Sequence, residues 1–509
     1  MAQLLPVKAL VLASAVLFAH GANAAPADAE LLKLIRQLNE RLERLEQRNT
    51  ELETKLNAAL APDARQDNDK RLQVLEQVQS KIDRSLDNDD ISQYEPEITA
   101  RLKAVEKDAL DMRKAAKKID ALEGVSAGLG LTTVLQTPSG LPQGTREAGS
   151  QLNYRADATV LVPLEHVGDI DHKIFAHFRM GQGLGLNRPL SNLGAFASAP
   201  NAVAFRASGA NPDDSVAILG EAWYQARIPL PFGGFKPRSR ESLEFSFGKM
   251  DLFGFFDQNA GAGDETRQFL NSVFVHNPLL DAGREIGVDA NGFQPGFVAS
   301  YLNVRAKPET WRLSLGAFGS GKGANYQRVA SPLLIAQAET TQRLGGLAGN
   351  YRFYTWRNAQ RNELDGSLAA HSGWGVSADQ RIGDGLTAFG RYGQMLRGKV
   401  PFDRALTLGA ELNGSYWNRG ADALGVALAR LRASNDYRAT GGSGDLVGDG
   451  SGVFTFTPAG SERLLEIYYR YRLSKQFEIS PDFQYLWNMG SNPSSHPVKV
   501  LGLRAQLSY

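Results

Sequence analysis

From residue 152 onward the chain alternates apolar and polar side chains with a period of two. In "LLEIYYRYRLS", 464–474, Leu465, Ile467, Tyr469, Tyr471 and Leu473 share one face, while Glu466, Tyr468, Arg470 and Arg472 share the other. After the turn Ser474-Lys475-Gln476, "FEISPDFQYLWN" sets Phe477, Ile479, Phe483, Tyr485 and Trp487 against Glu478, Ser480, Asp482, Gln484 and Asn488. Two such runs joined by a short polar turn predict an antiparallel hairpin with one oily and one charged face.

The same alternation recurs along the chain. "LNYRADATV" puts Arg155 and Asp157 on its polar face, and "KIFAHFRM" puts Lys173, His177 and Arg179 there. "ILGEAWYQARI" groups Ile218, Ala222 and Tyr224 against Glu221, Trp223 and Arg227. "ALTLGAELNGSYW" groups Leu406, Leu408, Leu412 and Tyr416 against Glu411 and Trp417. "YRFYTW" places Arg352, Tyr354 and Trp356 together, and Arg391 joins the inferred polar set.

A soluble sandwich also alternates. Here the polar faces mix Arg and Glu with Trp and Tyr, as a wet lumen would. The oily faces carry tyrosine near their ends, as an aromatic girdle would. Strands exposed to lipid cannot leave open edges, so the expected fold is an all-β antiparallel transmembrane barrel. The chain ends on "VLGLRAQLSY", an apolar alternation closing on Tyr509. That ending resembles the C-terminal assembly signal of outer-membrane barrels. The length from Gly124 to Tyr509 fits sixteen strands or eighteen.

The first 123 residues follow a different rule. "MAQLLPVKALVLASAVLFAHGANAA" has an early lysine, a short apolar run and an Ala22-Asn23-Ala24 cleavage pattern, and predicts a signal peptide over 1–24. Leu31, Ile35, Leu38, Leu42, Leu45, Asn49, Leu52 and Leu56 then hold an unbroken heptad. Such a strict 3.5-residue repeat predicts a coiled coil, with Asn49 in the seam fixing register. A second heptad runs from Ile98 to Ile119. The expectation is an α-helical stalk over 25–123, in the periplasm, ahead of a barrel domain over 124–509. A coiled coil needs partners, so a homo-oligomer follows, with a trimer preferred; contact with the cell wall is a further expectation.

Composition narrows the classes. The 509 residues contain no cysteine, so an exported chain of this size is stabilised without disulfides. Fifty-six Lys and Arg balance 55 Asp and Glu, which gives no argument for nucleic acid as a partner. Fifty-two glycines are many for a globular enzyme. No Ser/His/Asp set, zinc spacing or phosphate-cradling loop stands out, and "FGSGKGAN", 318–325, lacks the full spacing of a phosphate loop. No cofactor, metal or catalytic residue is therefore assigned.

One stretch does not alternate throughout. "FGKMDLFGFFDQNAGAGDETRQFLNSVF", 247–274, opens as a strand and then mixes aromatics with acids, amides and glycines. It resembles the signature of the carbohydrate-selective porin family of OprB type. Gly248-Lys249 with Asp251, Phe256-Asp257 with Asn259, Asp264-Glu265-Thr266 and Gln268-Phe269-Leu270 are the residues that carry the match. Further similar stretches follow in order: "AHFRMGQG", "GNYRFYTW", "GWGVSADQRIGDGLTAFGRYG", "GAELNGSYWNRGADALGVALA" and "EIYYRYRLSKQFEISPDFQYLWNMGSNP".

The resemblance spans roughly 125–509. It implies a sixteen-stranded outer-membrane barrel through which small sugars such as glucose pass by diffusion, with lipid around it. "LEFSF", 243–247, reads as a strand, and the stretch after it, 248–274, is then expected to leave the wall, anchored by its phenylalanines inside the barrel or at its rim. Its acids and amides would cap turns or accept hydrogen bonds from lumen arginines. Other readings stay open on the residues alone: a pore for anions or organic acids, or a structural protein tethered to the wall by the stalk.

Overall fold

The computed structural model describes residues 124–509 apart from 142–148, 188–189, 191–198, 206–213, 233–238, 281–291, 321–330, 441, 443 and 446–452. The chain divides into two units, Met1–Asn88 and Asp89–Tyr509, and every described residue lies in the second. The signal peptide and the coiled-coil stalk read from the sequence lie outside the described residues.

The strands in chain order are β1 (Ser126–Ser139), β2 (Gln151–Pro163), β3 (Asp171–Gln182), β4 (Val216–Leu230), β5 (Glu241–Asp251), β6 (Phe293–Asn303), β7 (Thr310–Phe318), β8 (Leu333–Leu344), β9 (Leu347–Asn362), β10 (Leu368–Ile382), β11 (Leu386–Arg397), β12 (Phe402–Asn413) and β13 (Ala423–Ala433). A small ribbon of β14 (Gly444–Asp445) and β15 (Val453–Phe454) interrupts the series, and β16 (Ser461–Arg472), β17 (Phe477–Trp487) and β18 (Val498–Ser508) complete it. Without the ribbon, sixteen strands remain. Each pairs antiparallel with its neighbours, and β1 pairs with β18 to close the barrel. The ambiguity between sixteen strands and eighteen is thereby resolved.

Alternation places the faces as the sequence pattern predicts. Leu501 is 63% exposed and Tyr509 72%, while Arg504, three residues beyond Leu501, is buried. Large apolar side chains thus point away from the barrel and polar ones into it, the arrangement a lipid solvent selects. Among the described residues, no helix is long and apolar enough to cross a membrane.

Two expectations about faces need correction. The alternation predicts Ile218 on the face of Ala222 and Tyr224. The register between β3 and β4 slips between His177 and Phe178, so that Glu221 faces His177 but Leu219 faces Phe178. Gly220 is the extra residue of a bulge, and it moves Ile218 to the face of Arg179. The alternation predicts Trp417 at the end of a strand, on the polar face. The strand β12 stops at Asn413, and Gly414–Trp417 form a 3-10 turn capped by the Asn413 side chain, which accepts from the Ser415 amide. The Trp417 indole donates to the Tyr469 hydroxyl at 2.9 Å, beside an oily-face tyrosine. Trp417 therefore belongs to the aromatic rim of the turn.

The glycines have a packing reason. Gly373 pairs with Trp356 and Gly375 with Tyr354, Gly409 with Phe389, and Gly425 with Tyr468. A Cβ at any of these four would sit 2.1–2.5 Å from the partner ring. The rings lie down over the bare backbone of the next strand, which a side chain there would forbid. All four aromatics are buried, beneath the segment described next.

The connections are unequal. Gly345 and Gly346 alone join β8 to β9, and 473–476 join β16 to β17 at the same end. At the other end run the segments 183–215, 252–292 and 434–460. In outer-membrane barrels the short turns face the periplasm and the long loops the exterior.

Candidate functional site

The segment 252–280, after β5, folds into the barrel. Asp251 starts it: its carboxylate accepts from the Phe253 amide at 3.0 Å and caps the 3-10 turn Leu252–Gly254. The three phenylalanines that follow each find a separate anchor. Phe253 stacks on His276 with centroids 3.6 Å apart, Phe255 meets Trp223 edge-on at 5.6 Å, and Phe256 meets Phe318 edge-on at 6.0 Å. Burial of rings of this size is the main non-directional term holding the segment inside.

Asp257 directs the turn. It adopts a left-handed φ of 53° and is fully buried. Its carboxylate accepts from the Tyr354 hydroxyl at 2.8 Å, Arg391 Nε at 3.2 Å and the Asn277 amide at 2.6 Å. Arg391 also donates to the carbonyls of Phe274 and Asp257. One arginine of β11 thereby holds both arms of the loop. Asn259 donates to Ser377 and to the Ala378 carbonyl on β10, and Asp379 accepts from the Ala260 amide.

The far arm is stitched to the opposite wall. Asp264 accepts from the amide and hydroxyl of Thr266, turning the chain back. Glu265 pairs with Arg155 of β2 at 2.8 Å. Arg504 of β18 donates to the carbonyls of Glu265, Arg267 and Gln268, and Glu466 of β16 accepts from the amides of Leu270 and Asn271. Arg267 reaches Glu478 of β17. The loop thus bonds to strands on both sides of the barrel. Burial alone would push the Glu265 carboxyl up; Arg155 and then Arg179 outweigh it and hold the group below its ordinary value.

A second inward segment, 199–205, was not legible in the sequence. The Ala202 amide donates to the Leu270 carbonyl and the Ser272 amide to the Ala199 carbonyl. Asn201 donates to Asn153 at 2.6 Å, and the Pro200 carbonyl accepts from Gln136 and Gln484. Val203 packs with Val134 and Leu270. It is a wedge between the main loop and β1, β2 and β17.

The structure brings six of the sequence-derived residues into one network on β2, β3 and β4. Asp157 accepts from Arg155 at 2.7 Å, from Arg179 at 2.8 Å, and contacts His177 Nε2 at 2.7 Å. The other His177 nitrogen lies 3.3 Å from Glu221. Glu221 accepts from the Trp223 indole at 3.2 Å and from the Asp251 amide at 3.1 Å. Trp223 stacks on Phe175 at 4.8 Å, with Lys173 5.8 Å from its ring. Flat aromatic surface therefore adjoins a ladder of alternating charge. Arg227 stands apart, 50% exposed, donating to Ser242 near the short-turn end.

The remaining candidates lie elsewhere. Arg352 is buried between Glu339 and Asp379 at 3.0 and 3.1 Å, and Trp356, four residues further along β9, is buried beside Tyr354. Arg391 is buried under the loop. Glu411 accepts from the Tyr468 hydroxyl at 2.5 Å and from Arg470 at 3.4 Å. Lys249 donates to the Leu219 carbonyl at the bulge. Among the described residues no group of His, Asp or Glu is arranged to hold a metal ion. The anchors Tyr354, Asp379, Glu466 and Arg504 were missed as such. Their inward parity was visible, but their partners are loop atoms far away in sequence.

Comparison with known proteins agrees with this architecture. A search of curated proteins found no match. The structure of Pseudomonas putida OprB at high pH superposes with a TM-score of 0.60 at 18% identity, over 76% of this chain and 94% of that one. The low-pH structure of the same protein gives 0.42 at 15% identity, over 76% and 93%. A mutant of the Rh. blastica porin gives 0.42 at 10% identity, over 76% and 100%. The model of the carbohydrate-selective porin family matches residues 149–509, most of the chain and nearly all of the barrel, and this protein belongs to that OprB family of outer-membrane porins.

Proposed function

We propose that the chain is a passive channel for small neutral sugars, monosaccharides such as glucose, entering the periplasm. The observation that carries this reading is the ladder of Arg155, Asp157, His177, Arg179 and Glu221 beside the rings of Trp223 and Phe255. A sugar presents hydroxyls that both donate and accept, and ring faces that are partly apolar. Guanidiniums donate, carboxylates accept, and the indole offers a flat face. Neighbouring charges of opposite sign also cancel the field that would favour one ion over another.

In this reading Lys173, Arg227 and Glu411 line the wall along the path. Arg352, Trp356 and Arg391 hold the loop that narrows it, together with Asp257, Asn259, Asp264 and Glu265. Trp417 serves the membrane interface. The heptads of 25–123 support a homotrimer with its stalk in the periplasm, where contact with the cell wall is within reach.

Liposomes carrying the purified protein test the assignment. They should swell in iso-osmotic glucose and more slowly in a trisaccharide. Replacing Trp223 with alanine should alter the block of channel current by sugar more than it alters folding. Faster entry of organic anions than of neutral sugars of equal size would replace this reading with an anion pore.

A further inference from the structure

The outward face of the barrel carries a row of cations at the long-loop end. Arg404 lies near the top of β12, Arg430 near the top of β13, Arg463 at the top of β16 and Lys499 at the top of β18. All four are exposed, and each shares the parity of lipid-facing leucines on its own strand, Leu406, Leu428, Leu465 and Leu501. The strands are contiguous in the order β12, β13, β16, β17, β18. Arg430 stands directly opposite Arg463 and opposite Leu406, the next outward residue after Arg404. With strands spaced about 4.8 Å apart, three guanidiniums start from a patch about 10 Å wide.

Among the described residues none of the four forms an ion pair. Arg430 donates to the Ser461 hydroxyl, Asp403 pairs with Arg432 at 3.3 Å, and the buried Glu462 accepts from the Gly490 amide. Below the row the outward positions of β16, from Leu465 to Tyr471, are all apolar or aromatic. A cation facing lipid is costly at the bilayer midplane, and the cost falls almost to nothing at the interface. Tyr471, eight positions along from Arg463, lies at the short-turn rim with Tyr469, which accepts from Trp417. That span is about 27 Å along the strand and about 20 Å along the barrel axis after tilt, close to the height of an apolar band. The row therefore sits at the outer headgroup level, directly above an uninterrupted apolar wall.

We propose that Arg404, Arg430, Arg463 and Lys499 form a binding site for a phosphate-bearing lipid of the outer leaflet. Its phosphates would bridge the guanidiniums, which suit phosphate geometry. Its acyl chains would lie along the leucines below. The combination of cations above and apolar wall beneath selects an amphiphile over a soluble anion.

Native mass spectrometry of the full-length protein in detergent tests this, with diphosphorylated lipid A and its dephosphorylated form as probes. The wild type should retain the diphosphorylated lipid and release the dephosphorylated one. A surface cation contributes about fivefold in affinity, so R404Q/R430Q/R463Q should bind about a hundredfold more weakly. Its channel conductance should be unchanged, because none of the three faces the lumen. Lys399, paired with Asp365 on a loop at the same end, is the control: K399Q should bind as the wild type does. Should the triple variant fail to insert, R430Q alone should show about a fivefold loss in the same assay. Equal retention of the phosphorylated lipid by wild type and variants would overturn the proposal. So would equal retention of the two lipids by the wild type.

Discussion

A single buried ion pair decides where the inward loop turns. Asp257 and Arg391 are both out of contact with water, and Arg391 spends its remaining donors on carbonyls of the same loop. Removing one partner of such a pair leaves the other charge buried and uncompensated, which costs about 3–5 kcal/mol. Arg391→Met should therefore lower the temperature at which the barrel loses its folded gel mobility and should make single-channel currents noisier. The double variant Arg391→Met/Asp257→Asn should recover much of the loss, since an asparagine can still accept from the Asn277 amide and donate to the Tyr354 hydroxyl. A single variant as heat-resistant as the wild type would show that the pair does not hold the loop. The acid was legible in the sequence as a hydrogen-bond acceptor for a lumen arginine. Which arginine was not, because 134 residues separate the partners and no local pattern links them.

The loop as an element is held at several points, and one of them titrates. Arg155, with Arg179 behind it, keeps the Glu265 carboxyl below its ordinary value of 4.5. A carboxyl depressed in the folded state stabilises that state fully above its ordinary value. The contribution is lost as pH falls below 4.5 and through the depressed folded value. Acidification through this window should loosen the tip at 264–268, read as a change in conductance and in sugar block. Glu265→Gln should behave at pH 7 as the wild type does in acid and should lose the pH response. A wild-type channel whose conductance and sugar block stay constant through the window would refute the latch. Elements that obey a simple period were readable in advance: the hairpin of β16 and β17 and the final strand follow their alternation residue for residue. The period failed where the backbone departs from it. The bulge at Gly220 reverses Ile218, and the turn after Asn413 withdraws Trp417 from the wall. The wedge 199–205 has no period at all, and its bonds run to main-chain atoms, which every residue type supplies equally.

At the scale of the whole molecule, a barrel closes its own edges, since β1 and β18 pair, and it needs no second copy to satisfy its backbone. Any oligomer must therefore come from side chains, and the N-terminal region is where the sequence supplies them. A heptad such as that from Leu31 to Leu56 would need other helices to bury its apolar seam, and Asn49 within that seam would favour one register over its alternatives. On the proposed reading the two requirements separate: lipid and the internal loop stabilise the barrel, and the heptad would assemble the copies. Deleting 29–58 should convert a trimer to monomers in mild detergent, measured by mass, while leaving heat-modifiable mobility and sugar-driven swelling intact. A shortened chain that remains trimeric would move the interface to the outer wall of the barrel. A full-length chain that is monomeric at every concentration would refute assembly through the heptads altogether.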